Sequence, residues 1–210
     1  MRIRSVNVAA GLHHGEEWTG TEGRTGIDKR PVQRRVRVFG DHLDGDRVIN
    51  REHHGGPWKA VHAYAYEDAQ WWSSQLDKPL WDGAFGENLT TEEIDVTDAR
   101  IGEQWRIGSA VLSVVQPRIP CRVFAGFWDR PGLVKEFAEA GRPGAYLSII
   151  EPGEIGAGDG IEVIHRPPHD VTLGMVFAAR IGDQALVPLI ADAGPFLPPT
   201  LQEWLGNQLR

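Results

Sequence analysis

The sequence predicts a mainly β fold, with a barrel-like sheet domain followed by a small helical extension. Glycine and proline recur at short intervals between residues 11 and 160, and the apolar residues between them alternate instead of following a helical period. After Arg166-Pro167-Pro168 the apolar residues fall into short helical patterns. We therefore expect a β domain at residues 1–168 and a helical extension at residues 169–210.

The strands are predicted by alternating apolar residues bounded by turn residues. The clearest is a hairpin, in which residues 104–107 and 110–115 flank Gly108-Ser109. Glycine at the first loop position permits a type II′ turn. Further strands are predicted, in chain order, at residues 3–10, 32–39, 60–64, 146–150 and 161–165.

Two helices are predicted within the β domain. The first covers residues 67–76, with acidic residues in its first turn and an apolar stripe on one face. The second follows Pro131, with Asp129 as its expected N-cap and Gly141 as the residue after its last turn. In the extension, helical patches are predicted at residues 173–179, 184–191 and 201–209.

Composition excludes several classes of protein. With 41% hydrophobic and 24% charged residues, the chain is neither disordered nor fibrous. Its net charge of −7 and the lack of a basic run argue against duplex nucleic acid as a partner. No apolar stretch suits a membrane span or a signal peptide, and the single cysteine excludes an internal disulfide. We expect a cytoplasmic protein without a membrane partner.

Cys121 is the first candidate for chemistry. It follows a predicted apolar strand on a loop that Pro117 and Pro120 stiffen, and Arg118 and Arg122 flank it with positive charge that favours a thiolate. A thiolate there could act as a nucleophile or as a ligand for a soft metal. The alternative is an inert, small apolar residue of the core, and the residues alone leave both interpretations open.

Three glycine-containing loops are candidates for ligand binding. In the first, His53-His54-Gly55-Gly56 is followed by Lys59, a combination that suits an anion but also an ordinary surface loop. Asn88 and Arg142 lie in the other two, at residues 85–90 and 141–146, and offer an amide and a guanidinium. The histidines lack zinc-finger spacing, so a structural zinc site is not expected.

Taken in order, these loops resemble the MOSC family, named for the C-terminal domain of molybdenum cofactor sulfurases, and within it the compact bacterial YiiM-like proteins. The resemblance spans about residues 1–165 and implies a β-rich, barrel-like domain with a short three-helix extension. Its main motifs are Thr25-Gly26-Ile27-Asp28-Lys29-Arg30-Pro31-Val32, His54-Gly55-Gly56, Lys59-Ala60-Val61, Phe85-Gly86-Glu87-Asn88-Leu89-Thr90, Gln116-Pro117-Arg118-Ile119-Pro120-Cys121 and Gly141-Arg142-Pro143-Gly144-Ala145-Tyr146.

The resemblance implies that Cys121 either ligates the molybdenum of a molybdopterin cofactor or carries sulfur as a persulfide. Cofactor-bearing members reduce N-hydroxylated compounds, such as hydroxylaminopurines or amidoximes, with electrons from a separate flavin reductase. Pyridoxal phosphate is not expected, and the oligomeric state stays open, a homodimer included. A third alternative is a module that binds a small anion and keeps Cys121 as a structural residue. The residues expected to hold the molybdenum cofactor are His54, Gly55, Gly56, Lys59, Asn88, Arg118 and Arg142.

Two features depart from the family pattern. Val48-Ile49 stands where relatives commonly have a short polar run, so one wall of the pocket is expected to be more apolar. Extra indoles at Trp81 and Trp128 lie near the pocket loops in the sequence. They could stack on a planar substrate or only pack against each other.

Overall fold

The computed structural model describes residues 1–210, which form thirteen strands and seven α-helices. Three short 3-10 segments at Glu17–Thr19, Pro57–Lys59 and Gln184–Leu186, and a longer one at Ala191–Phe196, connect them. The strands are β1 (Arg2–Ala9), β2 (His13–His14), β3 (Arg24–Thr25), β4 (Lys29–Pro31), β5 (Val36–Phe39), β6 (His42–Leu43), β7 (Val61–Ala65), β8 (Leu89–Glu92), β9 (Gln104–Ile107), β10 (Ala110–Pro117), β11 (Ala145–Glu151), β12 (Gly153–Ile155) and β13 (Ile161–His165). The helices are α1 (Arg51–His54), α2 (Tyr66–Leu76), α3 (Arg122–Phe127), α4 (Leu133–Ala140), α5 (Leu173–Arg180), α6 (Val187–Ile190) and α7 (Pro199–Gln208).

The main sheet has eight strands in the order β13-β9-β10-β11-β7-β8-β1-β4. Neighbouring strands are antiparallel except β7 and β8, which run parallel and are connected through α2. A parallel pair needs such a crossover, because its second strand must start at the same end as the first. The predicted helix at residues 67–76 is thus present as α2, and it places the start of β8 beside β7.

The sheet is open, so the expected barrel-like closure is not confirmed. Its end strands β13 and β4 do not pair with each other. The nearest approach to closure is one bridge between Arg2 and Gly160, with backbone hydrogen bonds between residues 1–3 and 158–161 around it. From Asn7 onward β1 pairs with β4 instead, so no continuous ladder can form between β1 and β13. The fold is better described as a mixed, sheet-rich architecture with seven helices.

Several local predictions are confirmed. β9 and β10 form the expected hairpin, with Ala110 opposite Ile107 and with Gly108 at a φ of 58°. α4 ends at Gly141, which adopts the left-handed conformation. The N-cap prediction is wrong, because α4 begins after Gly132 and Asp129 lies in a left-handed turn before it. α3, directly after Cys121, was not predicted.

The helical extension packs into the core of the sheet. Leu173 and Val176 of α5 and Leu201 of α7 belong to the same buried cluster as Trp105 and Leu112 of the sheet. A second, aromatic cluster lies between α2, α3 and α4, and Trp72, Tyr64 and Phe85 are its largest fully buried members. The domain boundary at residue 168 stays a prediction, although α5, α6 and α7 do follow it. None of the helices has the length and apolar character needed to cross a bilayer.

Candidate functional site

A polar cleft of about 810 Å³, its open mouth included, lies where the loops around β7, β8, β10 and β11 meet. Only six of its 22 lining residues are hydrophobic. The lining includes five of the residues expected to bind the cofactor or the metal, which are His54, Lys59, Asn88, Arg118 and Cys121. The structure therefore brings together loops that are far apart in sequence.

Cys121 lies half-buried in this cleft. β10 ends at Pro117, and the chain continues to an extended residue at position 121 before α3 begins. The carbonyl oxygen of Cys121 accepts a hydrogen bond from the Ala125 N–H at 3.2 Å, which fixes the residue to the first turn of α3. The thiol is thus held at the junction of a strand and a helix, and it belongs to the cleft instead of being enclosed in the core.

Arg118 and Lys29 are buried cations of the cleft floor. The Arg118 guanidinium donates to the carbonyl oxygen of Phe85, and its central carbon lies 4.7 Å from the ring centre of Phe124. The Lys29 ammonium is 2.5 Å from Asp46 Oδ2. Burial alone would raise the pKa of Asp46, but Lys29 and hydrogen bonds lower it below its usual range. Lys29 is therefore neutralised by a partner, whereas Arg118 is not.

Asn88 holds the floor together. Its Oδ1 accepts from the His62 N–H at 3.1 Å, and its Nδ2 donates to Asp46 Oδ2 at 2.8 Å and to the carbonyl oxygen of Asn7 at 3.3 Å. These bonds connect β7, β1 and the loop before α1. Three of the four hydrogen-bonding positions of a side-chain amide are thus occupied by the protein itself.

Two neutral imidazoles and a phenol share the floor with these cations. His54 Nδ1 lies 3.2 Å from the hydroxyl of Tyr146, and burial together with Arg118 and Lys59 lowers the pKa of His54 to about 4. His62 pairs with Tyr146 across β7 and β11, and burial holds its pKa well below the usual range. The Nε2 atom of His62 is buried without a hydrogen-bond partner.

The cleft carries an excess of positive charge. Five cations and a single carboxylate, Glu22, are among its lining residues. Lys29 is the only one of these cations with a salt bridge, so the other four have no carboxylate partner. In a chain with a net charge of −7, this concentration of unpaired cations favours an anionic ligand. The five cations are Arg24, Lys29, Arg47, Lys59 and Arg118.

Four important lining residues are not among the site residues predicted from the sequence. Arg24 precedes the Thr25–Val32 motif and Lys29 belongs to it, and His62 follows Lys59-Ala60-Val61. Arg47 lies outside the motifs named above, although the Gly45-Asp46 pair before it also fits the family pattern. The sequence signal that could have identified these residues was their position in or next to a motif that matches the family. The expected apolar wall is present, since Val48 and Ile49 both line the cleft.

Three of the residues expected to bind the cofactor do not line the cleft. Gly55 ends α1, and Gly56 adopts a φ of 84° at the start of the following 3-10 turn. Arg142 lies in a separate cleft, where its guanidinium pairs with Asp68 and its central carbon is 4.9 Å from the ring centre of Trp71. Arg142 is therefore not brought together with Cys121.

The extra indoles pack against each other. The rings of Trp81 and Trp128 are stacked with their centres 5.5 Å apart, and Trp81 donates from Nε1 to the carbonyl oxygen of Lys29. Neither ring lines the cleft. Nor does the chain contain a group of three or more His, Cys, Asp or Glu side chains that could hold a metal ion on their own.

Comparisons with known proteins agree with this architecture. Residues 50–162 match the MOSC domain family. A Bacillus subtilis (strain 168) protein called "Uncharacterized protein YflK" is 34% identical over 180 residues, which are 86% of this chain and 80% of that protein. A protein called "Reductase" from Gibberella moniliformis (strain M3125 / FGSC 7600) is 33% identical over 128 residues, which are 57% of this chain and 23% of that protein.

A solved structure extends the similarity to the whole fold. The crystal structure of YiiM from Geobacillus stearothermophilus superposes with a TM-score of 0.80 at 27% sequence identity, covering 100% of this chain and 99% of that chain. The match thus includes the helical extension as well as the open sheet. On its sequence and its fold, this chain belongs to the MOSC domain family and is a YiiM-like member of it.

Proposed function

We propose that the cleft binds a molybdenum cofactor, a pterin that carries a phosphate, with Cys121 Sγ as the protein's ligand to the metal. The observation that carries this proposal is a half-buried thiol in a cleft with four cations that have no carboxylate partner. A thiolate is a soft ligand that suits molybdenum, and unpaired cations suit a phosphate. The similarity to a protein named as a reductase supports a redox role.

The residues present fit such a group. The buried Nε2 of His62 lacks a partner within the protein and can bond to a polar ring atom. Arg118 and Lys59 donate only to backbone carbonyl oxygens, of Phe85 and His53, so their charges remain available to a phosphate. Cys121 is one protein ligand, and the cofactor itself would supply the other sulfur ligands.

The reaction proposed is the reduction of an N-hydroxylated compound, of the hydroxylaminopurine or amidoxime type, to the corresponding amine or amidine. The N–O bond breaks, two electrons and two protons are taken up, and water leaves. The cofactor supplies a centre that exchanges electron pairs when bound. A separate flavin reductase would deliver the electrons, because one cysteine cannot hold an iron–sulfur cluster.

The chain's own groups bind and orient the reactants. Val48 and Ile49 cover part of the cleft with apolar surface and so limit access of water. The low pKa of His54 keeps its ring neutral at pH 7. His54 can therefore form a hydrogen bond with the Tyr146 hydroxyl without adding to the positive charge of the cleft. Asn88 holds β7 and the Asp46 loop in place, which keeps Lys29 beside the floor.

The alternative function is sulfur transfer, in which Cys121 carries a persulfide and no metal is bound. The half-buried position of the thiol favours this alternative too, because a sulfur donor and an acceptor must both reach it. The two functions differ in what the protein carries when it is purified.

Reduction of an amidoxime with dithionite-reduced viologen as electron source would test the proposal. Wild-type protein, purified without oxygen from a host that makes molybdopterin, should form the amidine, and Cys121→Ser should fall to the background rate while its circular dichroism stays unchanged. Cyanide treatment tests the alternative function, because cyanide removes the outer sulfur of a persulfide as thiocyanate. Thiocyanate released in proportion to wild-type protein that reduces nothing would establish sulfur carriage instead.

A further inference from the structure

Four of the five cations of the cleft lie at two depths, and the fifth, Lys59, is half-buried between them. Lys29 and Arg118 are buried at the floor, with 6% and 5% of their surface exposed. Arg24 and Arg47 are exposed, and both line the same cleft at its mouth. Neither guanidinium group forms a hydrogen bond or salt bridge within the protein, whereas the side chain of every other cleft cation contacts a carboxylate or a backbone carbonyl oxygen.

Backbone packing places the two arginines on one side of the mouth. A Cβ at Gly26 would lie 2.3 Å from the carbonyl oxygen of Arg47, so the two segments touch only because residue 26 is glycine. Asp46 is fixed by the Ala9 N–H at 3.0 Å and by Lys29 at 2.5 Å, and it thereby anchors the residue next to it. The position of the mouth is thus fixed by the hydrogen bonds that join Asp46 to Ala9 and to Lys29 of the floor.

Four apolar side chains share the level between the floor and the mouth with Cys121, His54 and Lys59. Ile27, Val48, Ile49 and Val123 line the cleft and are half-buried, whereas the floor cations are buried and the mouth arginines are exposed. Such a layer suits the faces of a flat heterocyclic ring. From the inside outwards, the cleft therefore offers buried cations, a half-buried level with the Cys121 thiol and apolar side chains, and two arginines whose guanidinium groups have no partner in the protein.

We propose that Arg24 and Arg47 form a phosphate-binding subsite for the substrate, so that the cleft takes N-hydroxylated nucleotides in preference to free bases or nucleosides. The guanidinium fork donates two parallel hydrogen bonds to phosphate oxygens. The base would lie against the apolar layer with its N–O group toward Cys121. Glu22, the one carboxylate of the lining, leaves the mouth with a net positive charge and offers an acceptor for sugar hydroxyls. This inference rests on the proposed function, which assigns the floor cations to the cofactor.

Calorimetry with adenosine 5′-monophosphate and adenosine, which differ by one phosphate and are not reduced, tests the subsite. Wild type, the double variant Arg24→Gln/Arg47→Gln and the control Arg37→Gln would be compared as purified, with molybdenum measured in each. Arg37 is a suitable control because it is also exposed, lacks a salt bridge and lies outside the cleft.

We expect wild type and Arg37→Gln to bind the nucleotide at least about tenfold more tightly than the nucleoside, with inorganic phosphate competing against the nucleotide only. The double variant should bind both compounds equally and keep its molybdenum. Equal binding by wild type, or a preference that survives in the double variant, would overturn the inference. Loss of molybdenum from the double variant would also overturn it, by assigning the arginines to the cofactor's phosphate. Absence of molybdenum from wild type would instead count against the proposed function, while the calorimetry would still decide the subsite.

Discussion

At the residue scale, the site depends on buried polar groups whose charge is set by their surroundings. Glu87 is buried behind the cleft, where it accepts hydrogen bonds from Gly83 N–H at 2.6 Å, Phe85 N–H at 2.9 Å and the Thr90 hydroxyl at 2.9 Å. It therefore fixes the loop whose Phe85 carbonyl receives Arg118. Burial raises the pKa of Glu87 to about 7, although these donors act in the opposite direction.

Glu87→Gln should change how stability depends on pH. Because the pKa of Glu87 is higher in the folded state, its contribution is fully present below its ordinary pKa of 4.5 and is lost as the pH rises to about 7. The stability of wild type relative to the variant should fall by roughly 2–3 kcal/mol across that range. Urea unfolding at several pH values measures this, with Glu139→Gln on the exposed face of α4 as the control variant.

The contribution of His54 to stability should depend on pH in the opposite direction from that of Glu87. Its pKa is lowered to about 4 by burial and by Arg118 and Lys59, so the folded state binds its proton less readily than the unfolded chain does. The stability that it contributes is present above pH 6.5 and is lost as the pH falls toward 4. Nuclear magnetic resonance of the His54 ring should show a midpoint near pH 4, and a midpoint near 6.5 would contradict the buried floor described above.

At the element scale, the unpredicted helix α3 sets the position of one cleft wall. A Cβ at Gly126 in α3 would lie 2.1 Å from Cβ of Trp18, in the 3-10 turn that leads into Thr19 and Gly20 of the lining. Trp18 therefore fits against the bare backbone of α3, one turn after Cys121. This contact, together with that of Gly20 with Val123, connects the wall to the helix that follows the thiol.

Gly126→Ala should displace that wall and destabilise the protein by about 1–3 kcal/mol, since an overpacked contact forces the backbone to shift. Gly206→Ala is the matched control, because Gly206 lies inside α7 with no atom within 4 Å of an added Cβ. It should be neutral or stabilising by up to about 1 kcal/mol. Thermal unfolding compares the two, and equal effects would show that Trp18 is not packed as described.

At the scale of the whole molecule, the sheet and the helical extension share one core. Leu173 of α5 is fully buried in the same cluster as Ile101 and Leu112. Leu173→Ala should cost about 2–5 kcal/mol and lower the midpoint of the entire unfolding transition. Calorimetry should show one transition in both proteins. A separate early transition in the variant would mean that the extension unfolds by itself.

Local features of the fold were predictable from the sequence, and features that depend on distant partners were not. The β9–β10 hairpin and the end of α4 were found from Gly108 and Gly141, because glycine is needed where φ is positive. Closure of the sheet depends on pairing between the two ends of the β domain, which no local pattern encodes. α3 is only six residues long, too short for a helical period to be visible.

In the candidate site, too, local features were predictable and features that depend on distant residues were not. The motifs located the Cys121 loop and the polar loops around it, and five predicted residues line one cleft. Arg142 was assigned to that cleft because its loop carries glycines, but Asp68 of α2 pairs with it elsewhere. Arg24 and Arg47 were not selected because their positions at the mouth follow from the contact of Gly26 with a distant segment.

The most direct test of the account is the molybdenum content of the purified protein. Elemental mass spectrometry would be applied to wild type, Cys121→Ser and the control Arg37→Gln, all purified without oxygen from a host that makes molybdopterin. We expect close to one molybdenum per chain in wild type and in Arg37→Gln, and almost none in Cys121→Ser. Wild-type protein without molybdenum, or equal molybdenum in Cys121→Ser, would contradict the proposal that Cys121 binds the metal.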